Sequence, residues 1–411
     1  MRTFLLAAAA LVSGVLADTL SLEDCQAKAR ERHPIARQKK LVERTLDYTL
    51  ENAVLGWLPR VSVVGRTTDQ SEPAMRGLET DQTQISLEIN QTLWDGGNAL
   101  ARRRTARASA ATDAARIESD LHALRLRVDQ IYFGILAIEE QLAQNAILAR
   151  DLGTNLARVQ AYKDNGLANQ SDVDILRVEL LRTGQRRTEL RASGEAYRAM
   201  LSLLCGVDVD SSTRLGRPSM PLPAARPVNK RPELEMFRAQ QELASSQERA
   251  LSTRHAPRIG AFLQLGEGKP GLSLANRDYA SFWVAGLRMS WDLDPLWTLG
   301  NDRSLIALQR ETIESRKEAF ELDVDLETAR GMREIAKHRA LIEQDDGIIA
   351  LRSRIRAAAE AKVDAGTMSV ADLVREMNAE AASRQERILH EMQLLLSIAT
   401  LQATTNDGTN P

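Results

Sequence analysis

AYKDNGLANQSDVD, residues 161–174, interrupts a stretch that otherwise carries no helix breaker. AKVDAGTMSVADLV, residues 361–374, repeats it: Ala161/Ala361, Asp164/Asp364, Gly166/Gly366 and Asp172/Asp372 all differ by 200. A glycine supplies the left-handed residue that ends one helix. Asn169 or Ser171 in the first stretch, and Ser369 in the second, supply the oxygen that caps the next. Each stretch therefore predicts the tip of an antiparallel helical hairpin.

A similar offset runs through the rest of the chain. HPIARQKK (33–40) is echoed by RPELEMFR (231–238), with Pro34 and Pro232 198 residues apart. LPRVSVVG (58–65) is echoed by APRIGAFL (256–263), with Pro59 and Pro257 again 198 apart, and Trp94-Asp95 recurs as Trp291-Asp292 at 197. These four prolines are read as helix ends. Landmarks that keep order and spacing to within three residues indicate one unit duplicated. Five of the twelve prolines (Pro218, Pro221, Pro223, Pro227 and Pro232) crowd the middle and mark an extended linker. The chain thus divides into a signal peptide at 1–17, a first repeat at 18–217, a linker at 218–232, a second repeat at 233–405 and a disordered tail at 406–411. Each repeat is read as a helix, a β-hairpin (about 61–94 and 259–292) and a long helical hairpin with its tip near 166 or 366.

No proline falls between 74 and 217 or between 296 and 410, so both stretches accommodate very long helices. Leu121, Leu124, Val128, Ile131, Ile135, Ile138 and Leu142 step alternately by three and four, and Leu152, Leu156 and Val159 resume the register. That is a heptad seam, the mark of helices packed side by side. A helix from about Asn98 to Lys163 would be on the order of 100 Å long at 1.5 Å per residue. The second seam is weaker, carried by Ile348, Leu351 and Ile355 and then Val374, Met377, Ala381 and Ile388.

Between the helices the period changes to two. In TQISLEINQTLW, Ile85, Leu87, Ile89 and Leu93 point one way and Ser86, Glu88, Asn90 and Thr92 the other. In SFWVAGLRMSW, Trp283, Ala285, Leu287, Met289 and Trp291 share one side, with Gly286, Arg288 and Ser290 opposite. VSVVGRT (61–67) and IGAFLQLGE (259–267) are weaker partners, with loops near 68–82 and 268–279. Strands of about ten residues with one apolar and one polar face suit a transmembrane β-barrel. They suit two half-buried hairpins of a soluble sheet equally well. Four strands cannot close a barrel around a lumen, so the membrane reading needs several chains together.

Composition excludes other classes. With 54 basic and 56 acidic residues, no overall field favours nucleic acid. Only 4% aromatics beside abundant Ala, Leu, Arg and Glu favours long helices, so the fold class is mainly α with a small β part. MRTFLLAAAALVSGVLA joins Arg2, an apolar run from Phe4 to Val12, and Val15 and Ala17 at the −3 and −1 positions of a cleavage site. The run is shorter than the roughly 20 residues that span a bilayer. Cys25 and Cys205 are read as buried free thiols in preference to a disulfide, because nothing in the sequence brings them together. Cys25 follows SLED and so does not read as a lipidation site. His33, His122, His255, His338 and His390 are scattered, without metal-ligand spacing, phosphate loop or nucleophile motif. The reading is therefore not an enzyme, with no cofactor and no metal. RRRTAR (102–107) reads as a solvated helix face before an anion-attracting entry.

The order of elements resembles the TolC-like outer membrane efflux protein family over nearly all of the mature chain. LSLEDCQAKARERHPIARQ is similar to the family's opening helix and Asn/His-Pro turn, and LPRVSVVG to its proline-led entry to the first strand. ISLEINQTLWDGGNALARR resembles the strand-to-helix return, and YKDNGLANQSDVDILRVE the turn between two long helices. In LWDGGN, Trp94 suits an aromatic interface position, Gly96 and Gly97 permit the turn, and Asp95 caps the helix start. WDLDPLWTLGN departs from the pattern, with Pro295 in place of a glycine pair.

The resemblance implies a homotrimer. Four strands per chain would form a twelve-stranded transmembrane β-barrel in the outer membrane, and the helical hairpins a coiled-coil α-barrel reaching through the periplasm. It implies a passive exit duct of a tripartite efflux pump or a type I secretion system. The partners implied are outer membrane lipid, a periplasmic adaptor (membrane fusion) protein and an inner-membrane transporter of RND, ABC or MFS type, and no nucleic acid. An exported periplasmic coiled-coil scaffold without channel activity is the alternative; it accounts for the heptads but leaves the hairpins idle.

The two tips would then lie at the periplasmic entrance. The adaptor would dock over Gly166, Leu167, Ser171 and Asp172 on one tip and Gly366, Thr367, Met368 and Ser369 on the other. Asp372 matches a constricting carboxylate of the family, which a trimer turns into a ring of three charges. Some members place a second aspartate three residues later. Arg375 stands there instead, so the expected gate is an Asp372–Arg375 pair between subunits. Asp172 reads at least as well as a helix-capping or tip salt-bridge residue.

Overall fold

The computed structural model describes residues 19–72, 80–224, 227–269, 271–272 and 278–406. The expected signal peptide and residues 407–411 of the expected tail lie outside them. The elements run α1 (Leu22–Arg32), α2 (Pro34–Leu55), β1 (Arg60–Asp69), β2 (Asp81–Trp94), α3 (Asn98–Asp164), α4 (Gln170–Cys205), α5 (Pro232–Arg254), β3 (Arg258–Lys269), β4 (Ala280–Ser290), α6 (Pro295–Asp364) and α7 (Val370–Thr405). The fold is mainly α with one four-stranded sheet. None of the described helices is long and apolar enough to cross a membrane.

The prolines act at both kinds of helix end. Pro34 and Pro232 are the first residues of α2 and α5, where a missing N–H costs nothing and the fixed φ suits a helix. Pro59 and Pro257 instead follow α2 and α5 and lead into β1 and β3.

Contacts divide the chain into two compact units. Among the described residues, one contains 19–36, 120–224, 227–231 and 321–406. Here α1 opens with a capping box, Ser21 Oγ accepting from the Asp24 amide and the Asp24 carboxylate from the Ser21 amide. Leu22, Cys25 and Ala29 are buried against Val128, Tyr132 and Ile135 of α3 and Leu201 and Cys205 of α4. The Leu20 amide donates to the Arg214 carbonyl and the Gly216 amide to the Leu20 carbonyl, so the start of the described chain is laced to the 214–216 segment. Tyr132 Oη lies 2.9 Å from the Leu20 carbonyl and 2.6 Å from that of Gly216, closing the lacing.

The heptad seam is this unit's core. Leu121, Leu124, Val128, Ile131, Ile135, Ile138, Leu152 and Val159 are all buried. In the second seam Val374, Met377 and Ile388 are buried too, whereas Ile348, Leu351 and Ile355 stay exposed on α6. Their period is helical, but no side chain among the described residues covers them.

The other unit contains the described residues of 37–119 and 232–320. Phe237, Ala244 and Ile313 form a small core between α5 and the first part of α6, with Phe320 tilted against Phe237 at 5.8 Å. Its sheet is antiparallel throughout, in the order β1-β2-β3-β4. The two expected hairpins are therefore joined edge to edge through β2 and β3.

Candidate functional site

Two regions carry the sequence-predicted functional residues: the sheet with its exits into helices, and the hairpin tips. In an antiparallel ladder directly opposed residues share a face. One row reads Val63–Leu87–Leu265–Trp283 and another Val61–Ile89–Leu263–Ala285. The row between them, on the opposite face, reads Ser62–Glu88–Gln264–Val284, and Gln264 Nε2 donates to Ser86 Oγ at 3.1 Å on that face. The apolar face is bare: Val63 is 69% exposed, Trp283 70% and Leu287 74%. A contiguous apolar face of this kind is a binding or membrane surface, not an ordinary exterior. Within the chain β1 and β4 each pair on one side only, leaving two open edges.

The first exit from the sheet turns sharply. Gly96 and Gly97 adopt φ of +70° and +85°. Asp95 Oδ1 accepts from the Gly97 amide at 2.9 Å and Oδ2 from the Ala99 amide at 2.6 Å, capping α3. The Gly96 position is doubly constrained, since a Cβ there would sit 2.5 Å from Ala256 Cβ. The second exit solves the same problem without glycine. The Asp294 amide donates to Asp292 Oδ1 at 3.3 Å, and Pro295 begins α6. Trp291 falls just beyond β4, its indole N–H donating to the His255 carbonyl at 2.9 Å. β4 ends at Ser290, one residue earlier than the alternating pattern reads.

At each tip the chain closes in a Schellman turn. Gly166 (φ +76°) donates to the Lys163 carbonyl and Leu167 to that of Tyr162. Gly366 (φ +69°) donates to Val363 and Thr367 to Lys362. Leu167 is 78% exposed at the apex, whereas Met368 turns inward onto a core of Leu152, Val173, Leu176, Leu373 and Met377. Ser171 lies exposed in the first turn of α4. Asp172 Oδ2 accepts from the Asn169 amide at 3.0 Å, which makes it a capping residue. Ser369 Oγ accepts from the Asp372 amide at 3.1 Å and donates to Asp372 Oδ2 at 2.7 Å.

Arg375 Nη1 sits 2.9 Å from Asp372 Oδ1. Within one chain the two side chains meet, because residues three apart face each other on a helix.

The bonds that join one hairpin to the other were not legible in the sequence. Asp364 Oδ1 accepts from Tyr162 Oη at 3.1 Å and from Arg158 Nη1 at 3.3 Å. The repeat-equivalents of Tyr162 and Arg158 are Lys362 and Ala358, so this link exists on one side of the duplication only. Above it lies a charged cluster centred on Glu380, 4% exposed. Its carboxylate accepts from Ser353 Oγ at 2.6 Å, Arg384 Nη2 at 2.7 Å and Arg356 Nη1 at 3.2 Å. Arg356 in turn reaches Asp151 at 2.7 Å. Glu380 is held below the ordinary glutamate range: burial pushes it up, and the Ser353, Arg384 and Arg356 bonds outweigh that. The repeat of Asp164 as Asp364 was the one available signal, and it named the residue without naming its partners.

A family model described as "Outer membrane efflux protein" matches residues 27–207. Over those residues the chain is similar to the outer membrane efflux protein family. Solved structures agree at the level of fold. The outer membrane protein VceC of Vibrio cholerae is 12% identical, with a TM-score of 0.71 over 95% of this chain and 97% of that one. The CmeC outer membrane channel of Campylobacter jejuni is 14% identical, with a TM-score of 0.69 over 95% and 87%. The open state of the MtrE outer membrane channel of Neisseria gonorrhoeae is 13% identical, with a TM-score of 0.69 over 94% and 89%. No curated protein matches the sequence. Each match covers nearly the whole chain, so the likeness is one of overall fold.

Proposed function

We propose that the protein is an outer membrane channel-tunnel, the passive exit duct of a tripartite efflux pump or secretion system, working as a homotrimer. The observation that carries this reading is the bare apolar face of a four-stranded sheet with two open edges. In water that face costs free energy; against lipid it is what a barrel wall requires. Open edges do not persist in hydrocarbon, so the strands of further chains must complete the ladder. Three chains supply twelve strands, and the exposed Leu322, Leu326, Ile348, Leu351 and Ile355 of α6 supply an apolar helical surface for neighbouring chains. A periplasmic scaffold would leave both surfaces in solvent.

The tips are the proposed entrance. Exposed Leu167, Gly166 and Ser171 on one, with Gly366, Thr367 and Ser369 on the other, present the backbone and side chains an adaptor would grip. Asp364 is the proposed latch, holding the two hairpins together through Tyr162 and Arg158. Asp372 and Arg375 contribute a paired charge on each chain at the same end. Both latch bonds are solvent-exposed, hence weak and screened by salt, which suits an entrance that adaptor docking must open. The partners in this reading are outer membrane lipid, a periplasmic adaptor and an inner-membrane transporter that supplies the energy.

Planar-bilayer recording tests the reading. The purified protein is expected to conduct in small, infrequent openings, and Tyr162→Phe combined with Arg158→Ala to raise open time several-fold. Absence of any conductance from membrane-inserted protein would reject the duct; unchanged open time would reject the latch alone.

A further inference from the structure

Cys25 and Cys205 lie 180 residues apart in sequence but share one core. Cys25 sits one turn into α1 and is 0% exposed; Cys205 is the last residue of α4 and is 4% exposed. Cys205 Sγ is 3.5 Å from the Cys25 carbonyl oxygen. That places the sulfur within about 6 Å of the Cys25 Cα, given ordinary backbone bond lengths. A disulfide needs its two residues at neighbouring positions, and the shared core holds Cys25 and Cys205 there. After Cys205 the chain turns away at Gly206 (φ +68°), which leaves the side chain directed at α1.

We propose that Cys25 and Cys205 close into a disulfide in the exported protein, pinning α1 to the end of α4. The inference rests on the outer-membrane reading, which carries the chain through an oxidising compartment. In the reaction two S–H bonds are lost and one S–S bond forms. Two electrons and two protons pass to a disulfide of the thiol–disulfide oxidant class, which leaves as a dithiol. One of the two cysteines, as thiolate, attacks the oxidant's disulfide and forms the mixed disulfide. The other then displaces the oxidant's thiolate. Both sulfurs are buried in the finished fold, so exchange takes place before α1 docks. The bond would fix the segment already laced by Leu20, Gly216 and Tyr132.

The test labels thiols in acid-quenched, denatured protein from the envelope fraction with a polyethylene-glycol maleimide. Wild type is expected to take no label before reduction and two after it. Cys25→Ala and Cys205→Ala are each expected to take one label either way. Two labels on unreduced wild-type protein in the envelope fraction would overturn the disulfide while leaving the export reading intact. In a second arm, the purified full chain is folded in detergent with glutathione disulfide. Loss of about 2 Da, the two hydrogens of the thiols, supports the pairing independently of where the chain resides in the cell. Two persistent thiols or two glutathione adducts there would overturn it.

Discussion

At the scale of single residues, the same amino acid carries different burdens at different turns. Gly366 has a left-handed φ of +69° but open space where a Cβ would go. Gly366→Ala therefore pays backbone strain alone, about 1 kcal/mol. Gly96 has φ +70° and would also drive its new methyl to 2.5 Å from Ala256 Cβ. Gly96→Ala is expected to cost about 2–4 kcal/mol, since strain and overpacking add. Thermal unfolding of the two variants side by side checks the order. Asp129 gives the opposite kind of signal. Burial lifts its pKa from 3.8 to about 6, against the pull of Gln26 and Arg125. The folded state thus holds this proton more tightly than the unfolded one. That contribution is complete below the unfolded pKa and is lost as pH rises through about 6. Asp129→Asn is expected to stabilise the protein by about 1–2 kcal/mol near neutral pH and to flatten the dependence between pH 4 and 7. Melting curves across that range decide it.

At the scale of elements, periodicity was legible and partnership was not. Alternation in β2 and β4 reported which residues share a face, and the three-four steps of α3 reported which stripe is buried, because both follow from backbone geometry alone. Nothing local says that β2 pairs with β3, that Tyr162 meets Asp364, or that Cys25 lies beside Cys205. Those are consequences of packing between segments up to 202 residues apart. The exposed half of the α6 seam shows the same limit from the other side: a helical stripe was visible, but not that one chain leaves it uncovered. Pro34 and Pro232 were legible as boundaries, though their place at the starts of helices depends on what precedes them.

Two predictions belong to elements. Glu380 has its pKa depressed, so its pairing stabilises above the unfolded glutamate value and is lost as pH falls through the depressed one. Glu380→Gln keeps an acceptor for Ser353 but leaves Arg356 and Arg384 without their shared charge. It is expected to cost about 2 kcal/mol at neutral pH, read as a lower urea midpoint, and less in acid. On the sheet, the two faces should answer differently. Leu287→Arg puts a cation on the apolar face and is expected to cost about 2–4 kcal/mol at mid-membrane depth, seen as loss of inserted protein. Glu88→Arg, on the polar face, should insert normally and shift ion selectivity toward anions in bilayer recordings.

At the scale of the whole molecule, the central claim is that one chain is an incomplete object. Among the described residues its sheet has an exposed apolar face and two edge strands, and α6 carries exposed apolar residues. A trimer in a bilayer answers all three at once. The most direct measurement is membrane fractionation followed by native mass determination in mild detergent. The account predicts that the protein sediments with the outer membrane and is released as a species of three mature chains. Recovery as a soluble periplasmic protein, or as a monomer in mild detergent, would contradict it.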